Sequence, residues 1–313
     1  MSTATETRAR EAPSGPRHVS VREWPDVVRT TLKQFVADDC MGLAQQVAFS
    51  ALLAFIPTVI LLIGLLGLFG TGTFDAVERF VGSVAPRGVT SMIDLARKDA
   101  AGSKSGSAIA LAAGIVAALW AASGAMGAVI KAVNRAYEEN ETRPFWKVRL
   151  IALVLVVATG LVTVGVFLLI VFGGSLGDAI VRRTALGGSF KTFWDFARWP
   201  IAFVAVLLFF AFVYYLAPDM KQRWRWISPG SLVGSLMWLV LSGLFALYTS
   251  YSGSYARTYG SIAGAIVLLL WLNYSSWAIL FGAELNAELD RQANINAAGG
   301  PRAGLVRPAR RGA

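Results

Sequence analysis

Polar side chains recur at helical spacing within two apolar stretches in the last third of the chain. Asn273 and Glu284 are 11 residues apart, so on an α-helix they share one face and lie about 16 Å apart along the axis. Ser276 lies about 60° away on the same side. The preceding stretch carries hydroxyl side chains at intervals of 4, 7 and 7 positions, in a stripe about 40° wide: Ser231, Ser235, Ser242 and Thr249. We expect such groups inside a membrane to face other helices or water rather than lipid.

Two kinds of chemistry fit these polar faces. In one interpretation the hydroxyls form a small-residue packing face and Asn273 bonds a neighbouring helix, each bond contributing about 0.6 kcal/mol. In the other, these residues line a polar pathway between the fifth and sixth helices, with Glu284 as a gate for protons or cations. No Asp, Glu, Lys or Arg lies at mid-depth of any apolar stretch, which argues against a strongly charged central site. A carrier of an amphiphile is less affected, because the apolar part of its substrate needs no charge.

The counts of cysteine and histidine exclude several classes of site. The chain holds one cysteine, Cys40, and one histidine, His18, so neither an intrachain disulfide nor a histidine-based metal cluster can form. A Ser-His-Asp hydrolase would have to recruit His18 from a tail rich in Ser, Pro and Arg. The sequence contains no Gly-x-x-x-x-Gly-Lys-Ser/Thr phosphate loop. We therefore predict no metal, no cofactor and no catalytic residues, although an intramembrane reaction using Glu284 and Glu288 stays open.

The elements that must position these residues are six long stretches without a charged side chain. They run 40–74, 105–130, 150–177, 199–218, 226–256 and 258–283. Each supplies the roughly 20 apolar residues that cross a hydrocarbon core, and in lipid a single span satisfies its own backbone hydrogen bonds only as a helix. The sequence thus predicts an all-α polytopic membrane protein with spans at about 47–70, 107–130, 150–174, 200–217, 230–251 and 260–284.

The rest of the chain divides into tails, an amphipathic segment and loops. Residues 1–21 and 290–313 are predicted to be disordered tails, the second one basic. Apolar residues recur at helical spacing in 22–46, which predicts an amphipathic helix, either at the cytoplasmic interface or packed on the bundle. The membrane domain is predicted over 47–289 and includes an external loop, 71–106, with two short amphipathic helices.

Basic residues are unevenly distributed between the loops. The connections after the second and fourth spans carry five and three Lys or Arg residues, whereas the last loop carries only Arg257. Cytoplasmic loops of membrane proteins are enriched in Lys and Arg, so both termini are predicted to be cytoplasmic. The formal net charge of +10 is explained in the same way, rather than by binding of nucleic acid.

Several motifs, taken with their order and spacing, resemble the YihY/BrkB family of bacterial inner-membrane proteins over about residues 38–289. The segments are Ala-Phe-Ser-Ala-Leu-Leu-Ala-Phe-Ile-Pro (48–57), Asn-Arg-Ala-Tyr (134–137), Arg-Pro-Phe-Trp (143–146), Tyr-Leu-Ala-Pro (215–218), Thr-Tyr-Gly-Ser (258–261) and Gly-Ala-Glu-Leu-Asn-Ala-Glu (282–288). The resemblance implies six helices in the plasma membrane and no agreed substrate. The family was once labelled ribonuclease BN and is partly named for a virulence association. The single histidine of this chain does not support a nuclease.

The function that we expect is non-ATP-driven transport or translocation of a lipid-like amphiphile or small solute. Asn134, Arg143 and Tyr259 are expected at the mouths of the pathway, and Pro57 in the first span is a hinge or a structural kink. The alternatives are a non-transporting envelope scaffold acting through 71–106 and a cation/proton exchanger. The expected partners are membrane lipids and a lipid-like or ionic substrate. Gly-x-x-x-Gly pairs favour close helix packing, within one chain or in a homo-oligomer.

Overall fold

The computed structural model of the protein describes residues 19–68, 107–183, 188–220, 227–251 and 262–297. Within those ranges all regular structure is helical, beginning with a 3-10 turn, Val21–Glu23. The α-helices are α1 (Trp24–Ala37), α2 (Cys40–Leu68), α3 (Ser107–Ala136), α4 (Phe145–Arg183), α5 (Gly188–Leu216), α6 (Pro229–Tyr251) and α7 (Ile262–Ala297). The all-α prediction is confirmed.

Five of these helices are long and apolar enough to cross a membrane. The apolar segments are Ile115–Ala136, Phe145–Ile170, Ser189–Leu216, Pro229–Thr249 and Gly264–Asn296. A shorter apolar segment, Cys40–Phe55, begins α2, which continues to Leu68. Each of the six predicted spans overlaps one of these helices, and the protein has a polytopic membrane fold. Continuous apolar sequence forms helices here because lipid offers no partner for a free backbone amide or carbonyl group.

The predicted amphipathic segment 22–46 is divided by a break between α1 and α2. Asp39 adopts φ 52°, a left-handed conformation that Asp tolerates better than most residues. Its Oδ1 accepts a hydrogen bond from the Gly42 amide at 3.3 Å, which caps the start of α2. A Cβ at Gly42 would collide with the Asp39 carboxylate. Residues 40–46 therefore belong to the first spanning helix, and only α1 is the separate amphipathic helix.

Helix α1 packs on the bundle with one face and leaves a second apolar stripe exposed. Its buried face consists of Val27, Thr30, Thr31, Gln34 and Phe35. Val27 packs against Leu285 and Leu289 of α7, and the rings of Phe35 and Phe281 are 6.0 Å apart. The exposed stripe is Val28, Leu32 and Val36. Because both faces carry apolar side chains, α1 can pack on the bundle and still offer an apolar surface to a membrane interface.

Helix α7 lies at the centre of the arrangement. It contacts α1, α2, α3 and α6, while α4 packs between α3 and α5. Buried apolar side chains from six helices, α1 to α5 and α7, form the main core, among them Ile130, Val133, Leu155, Phe210 and Leu280. The last helix of the chain is thus the element from which side chains reach most of the others.

Several predictions concern residues that the structure does not describe. The external loop 71–106, the segment 252–261 with Tyr259, and the far ends of both tails lie outside the described residues. Pro57 lies within α2, but its side chain is outside the description too. At the other end, α7 extends to Ala297, so the predicted disordered tail does not begin at residue 290. Gln292 and Ala293 are buried there, and the Asn296 amide bonds Glu23 at 3.1 Å.

Candidate functional site

Glu284 is a carboxylate buried near the end of the bundle where α1 packs. The residue is 3% exposed, and its Oε1 accepts a hydrogen bond from Cys40 Sγ at 3.3 Å. The charged groups that act on it are all acidic: Asp38, Glu138 and Glu288. No Lys or Arg of the described ranges pairs with it. A thiol is a weak donor, so this buried carboxylate is poorly compensated. An ionisable group held in this way within a membrane domain is a candidate functional residue.

Two polar atoms without a partner among the described residues lie on the Glu284 face of α7. Asn273 Oδ1 and Trp277 Nε1 are both buried and have no hydrogen-bond partner among the described residues. At about 100° per residue, positions 273, 277 and 284 fall within about 40° of one another. We call Asn273, Trp277 and Glu284 the α7 polar track. Buried polar groups are nearly always hydrogen-bonded. A solute or a water molecule on this track could therefore supply hydrogen bonds that the described residues do not.

The opposite face of α7 is closed against α6. A Cβ at Gly230 of α6 would collide with the Gly282 carbonyl oxygen and the Asn286 side chain. A Cβ at Gly234 would lie 2.8 Å from the Tyr214 hydroxyl and 3.1 Å from the Ala278 carbonyl oxygen. The Tyr214 hydroxyl itself donates to the Ile279 carbonyl at 2.8 Å. The two backbones touch at this α6–α7 seam, which supports the packing interpretation of the Gly230/Gly234 pair.

The start of α6 is capped partly from its own chain and partly from α7. Ser228 and Ser231 bond each other's backbone amides through their hydroxyls, at 2.9 and 3.0 Å. Asn286 of α7 accepts a bond from the Gly230 amide at 2.8 Å and donates to the Ser228 hydroxyl at 3.0 Å. These contacts satisfy amide groups that a helix start leaves free. Ser231 is therefore part of a helix cap in this structure.

The other predicted polar residues are engaged locally or in the seam. The hydroxyls of Ser235, Thr249 and Ser276 bond carbonyls of their own helices, at 3.1, 2.9 and 2.8 Å. Ser242 accepts a bond from Trp271 Nε1 at 3.3 Å, and a second Trp–Ser pair, Trp238 with Ser275, has 3.1 Å between its atoms. Asn273 and Glu284 lie roughly 180° around α7 from the seam residue Gly282. The structure thus separates Ser242 from Asn273 and Glu284, which the sequence had placed in one pathway.

Arg143 caps the end of α5 from the connection between α3 and α4. Its side chain is 8% exposed and donates to the carbonyls of Leu216 and Ala217 at 3.2 and 2.8 Å. Two further bonds, at 2.7 and 2.6 Å, join it to the Glu141 carboxylate. The carbonyls that a helix end leaves free attract a cation, so the guanidinium fixes α5 to this connection.

Asn134 belongs to the same network. Its Nδ2 donates to Glu141 at 2.8 Å, and its Oδ1 accepts from the Asp219 amide at 2.7 Å. The Asp219 carboxylate accepts the amide and hydroxyl of Thr142 at 2.7 and 2.5 Å. We call Asn134, Glu141, Thr142, Arg143 and Asp219 the clasp. The structure brings together the expected mouth residues Asn134 and Arg143, and they hold the ends of α3 and α5 to one loop.

The electrostatics of the clasp favour its charged state. Hydrogen bonds from Arg143 lower the pKa of the Glu141 carboxyl group, and the same bonds raise the pKa of the Arg143 guanidinium. Burial raises the pKa of Asp219, but the hydrogen bonds from Thr142 and the charge of Arg143 outweigh it, so the pKa is lowered. Opposite shifts of bonded partners mean that ionisation and folding stabilise each other.

A cleft of about 760 Å³ opens between α1, the end of α3 and the start of α4. Its charged lining comprises four carboxylates and two cations, namely Asp38, Glu138, Glu139, Glu141, Lys131 and Arg135. Arg135 Nε and Asp38 Oδ1 are 3.4 Å apart. Asp38 and Glu138 also act electrostatically on Glu284. Two carboxylates of the cleft therefore act on Glu284, although the residues that line the cleft come from α1, α3, α4 and the connection between α3 and α4, and none comes from α7.

Sequence reasoning missed three residues of this site. Cys40 was used only to exclude disulfides, Trp277 was not distinguished from the other aromatics, and Asn286 appeared only within the Gly282–Glu288 motif. The helical spacing of Trp277 to Asn273 and Glu284 was a usable signal, because 4 and 7 residues return to the same face. Within the described ranges, no group of three or more His, Cys, Asp or Glu residues could hold a metal ion.

Comparison with known proteins identifies relatives over most of the chain. The family model described as Virulence factor BrkB matches residues 31–304. The chain is 31% identical to the Putative ribonuclease-like protein YfkH of Bacillus subtilis, over 80% of this chain and 90% of that protein. UPF0761 membrane proteins of Idiomarina loihiensis and Xanthomonas campestris are 25% and 23% identical, over 53% and 82% of this chain. The matches span only 56% and 59% of those two proteins. No solved structure matches.

Proposed function

The chain belongs to the BrkB family of membrane proteins, and we propose that it is a non-ATP-driven transporter or translocator of a lipid-like amphiphile or small solute. The observation that carries the proposal is Glu284, a buried carboxylate in the membrane domain whose hydrogen-bond donor is a thiol. Membrane proteins place such side chains on substrate or ion pathways, because burying an unpaired charge is costly elsewhere. The membrane is the bacterial plasma membrane in this proposal, with both termini in the cytoplasm.

The proposed pathway follows the α7 polar track rather than the α6–α7 seam. The seam is filled by backbone contacts at Gly230 and Gly282, which leave no room for a solute. The track carries polar atoms without partners among the described residues at Asn273 and Trp277. It ends at Glu284, on which two carboxylates of the acidic cleft, Asp38 and Glu138, act electrostatically. A substrate moving along the track from Asn273 would meet the polar groups of Asn273 and Trp277 first and the Glu284 carboxylate last.

Three further features support transport without ATP hydrolysis or catalysis by the chain. The sequence has no phosphate-binding loop. Its single histidine lies at position 18, far from the track in sequence. Its relatives include proteins named only as membrane proteins. We therefore propose a non-enzymatic protein that binds membrane lipids and no nucleic acid, and we extend the family's description as a virulence factor to this chain as part of the proposal.

The test uses purified full-length protein in liposomes of bacterial polar lipids. One assay follows reduction of fluorescent phospholipids by external dithionite, which reports lipid movement between leaflets. A second follows an internal pH dye, which reports cation/proton exchange. Glu284→Gln is compared with Glu288→Gln, a matched change one turn further on α7 at a buried carboxylate paired with Arg291. We expect wild type and Glu288→Gln to support flux in the first assay and Glu284→Gln to lose it.

Each other outcome has a defined meaning. Flux in the pH assay alone would favour cation/proton exchange, which the acidic surroundings of Glu284 make the second candidate. Equal flux for wild type and Glu284→Gln would remove this carboxylate from the mechanism. Wild-type protein without flux in either assay would contradict the proposal and favour the envelope scaffold.

A further inference from the structure

We propose that Arg149 binds the phosphate headgroup of an anionic membrane lipid on the outer surface formed by α3 and α4. The Arg149 guanidinium carbon lies 4.1 Å from the centre of the Trp120 ring and 5.8 Å from that of Phe145. Its Nη2 donates to the Trp120 carbonyl at 3.2 Å. Two aromatic rings and one carbonyl thus hold the cation in place by cation–π and hydrogen-bond contacts. The inference goes beyond transport, because a protein that moves nothing can also bind a lipid here.

The charge of Arg149 is not neutralised by the protein. No carboxylate of the described ranges pairs with it, and its Nε is buried with no hydrogen-bond partner there. Arg143 and Arg291, in contrast, each bond a carboxylate at 2.7 Å or less. Because the Nε is covered by protein, a phosphate would bond the Nη groups, whose positive charge no carboxylate of the described ranges neutralises.

The surroundings of Arg149 favour a lipid over a soluble anion. Trp120 is 61% exposed, Phe145 is 71% exposed and Leu150 is 55% exposed. Trp120 belongs to the apolar segment Ile115–Ala136. Phe145 and Leu150 belong to the segment Phe145–Ile170, which also contains Arg149. Exposed apolar surface on a membrane span is covered by acyl chains. A lipid can therefore place its phosphate on the guanidinium and its chains over the neighbouring rings, which a free phosphate cannot do.

Binding of an anionic lipid would also explain the position of Arg149 in the chain. It is the fifth residue of α4, close to the end of an apolar span, and Lys147 precedes it within the same turn. Basic and aromatic residues next to a span attract anionic headgroups, at about 1 kcal/mol for each cation near the surface. Here the aromatic contacts fix one of these cations, so the expected contact is specific rather than diffuse.

Native mass spectrometry of the full-length protein tests this inference. The protein is released from nanodiscs containing equal amounts of phosphatidylglycerol and phosphatidylcholine, and the retained lipids are counted. We expect wild type to retain phosphatidylglycerol preferentially and Arg149→Gln to retain about fivefold less, as loss of about 1 kcal/mol implies. Arg198→Gln is the matched control, because Arg198 also has a buried Nε without a partner but pairs with Asp195 at 3.6 Å. It should retain as much phosphatidylglycerol as wild type.

A second variant keeps the test valid if Arg149→Gln does not fold. Trp120→Leu preserves the cation and an apolar surface but removes the ring that holds the guanidinium, and it should also retain less phosphatidylglycerol. Equal retention of both lipids by wild type, or unchanged retention in both Arg149→Gln and Trp120→Leu, would overturn the inference. Displacement of the lipid by millimolar glycerol phosphate would also overturn it, since the site would then select a soluble phosphate.

Discussion

Cys40 donates its thiol hydrogen to Glu284 across the α2–α7 interface, with 3.3 Å between Sγ and Oε1. The two residues are 244 positions apart, so this contact joins the first spanning helix to the last. The break between α1 and α2 at Asp38 and Asp39 positions Cys40 for this contact, because Cys40 is the first residue of α2 and Asp39 caps the start of that helix. A weak donor at this point leaves the carboxylate able to exchange partners, which suits a group on a pathway.

Replacement of Cys40 should show how much the carboxylate depends on this donor. In Cys40→Ala the buried Glu284 loses its hydrogen bond, and we expect a loss of about 1–3 kcal/mol in the free energy of unfolding. Cys40→Ser is the control, because a hydroxyl of similar size still donates and should cost less. Thermal unfolding in detergent measures both. A stability of Cys40→Ala equal to that of wild type would show that the thiol contact contributes nothing.

The clasp should make stability depend on pH in the acid range. Hydrogen bonds from Arg143 hold the pKa of Glu141 below its ordinary value of 4.5. For a carboxyl group with a lowered folded-state pKa, the stabilisation is fully present above about pH 4.5 and is lost as the pH falls through the folded pKa. We expect the unfolding temperature of wild type to fall more steeply below about pH 4.5 than that of Glu141→Gln. Parallel curves for the two proteins would contradict this role of Glu141.

The α6–α7 seam should not tolerate added volume. In Gly282→Ala the new Cβ would collide with the Tyr214 hydroxyl and the Gly230 carbonyl, and we expect a loss of about 1–3 kcal/mol. Gly243→Ala, in α6, is the control, because a Cβ there meets nothing within 4 Å. It should be neutral or stabilise the helix by up to about 1 kcal/mol. If both variants unfold at the wild-type temperature, the seam is looser than the structure shows.

The sequence predicted the fold class well, for a physical reason. A bilayer forces each apolar stretch into a helix, so 107–130 and 230–251 needed no knowledge of neighbours to be placed. The end of α7 was less predictable. Five of the eight residues 290–297 are polar and the stretch was assigned to a tail, yet Gln292 is fully buried. Such burial depends on packing against the N-terminal segment, which local composition does not reveal.

The candidate site could be predicted only in part, because periodicity fixes angles around one helix and not the identity of the helix that each face meets. The shared face of Asn273 and Glu284 was predicted correctly as geometry. That geometry does not say which helix the face meets. From the sequence we placed the face against α6, whereas Glu284 contacts Cys40 of α2. Asn286 caps α6 from α7, and this role depends on a second tertiary contact that periodicity does not reveal.

The role of Trp277 separates a pathway from a packing contact. Its Nε1 is buried without a partner among the described residues, so Trp277→Phe removes no hydrogen bond from the folded protein. We expect the unfolding temperature of this variant to stay at or above the wild-type value, because an unsatisfied buried donor is lost. If the α7 polar track carries the substrate, flux in liposomes should nevertheless fall. Trp238→Phe is the matched control.

In that control the change removes a bond that exists, from Trp238 Nε1 to Ser275 Oγ at 3.1 Å. It should therefore lower stability by about 1 kcal/mol and leave flux unchanged, because the α6–α7 seam lies on the other face of α7. The two tryptophan variants thus have opposite expected effects on stability and on transport. Loss of flux in Trp238→Phe with normal flux in Trp277→Phe would place the pathway in the α6–α7 seam. Ser242 would then be a lining residue of that pathway, and the α7 polar track would not carry the substrate.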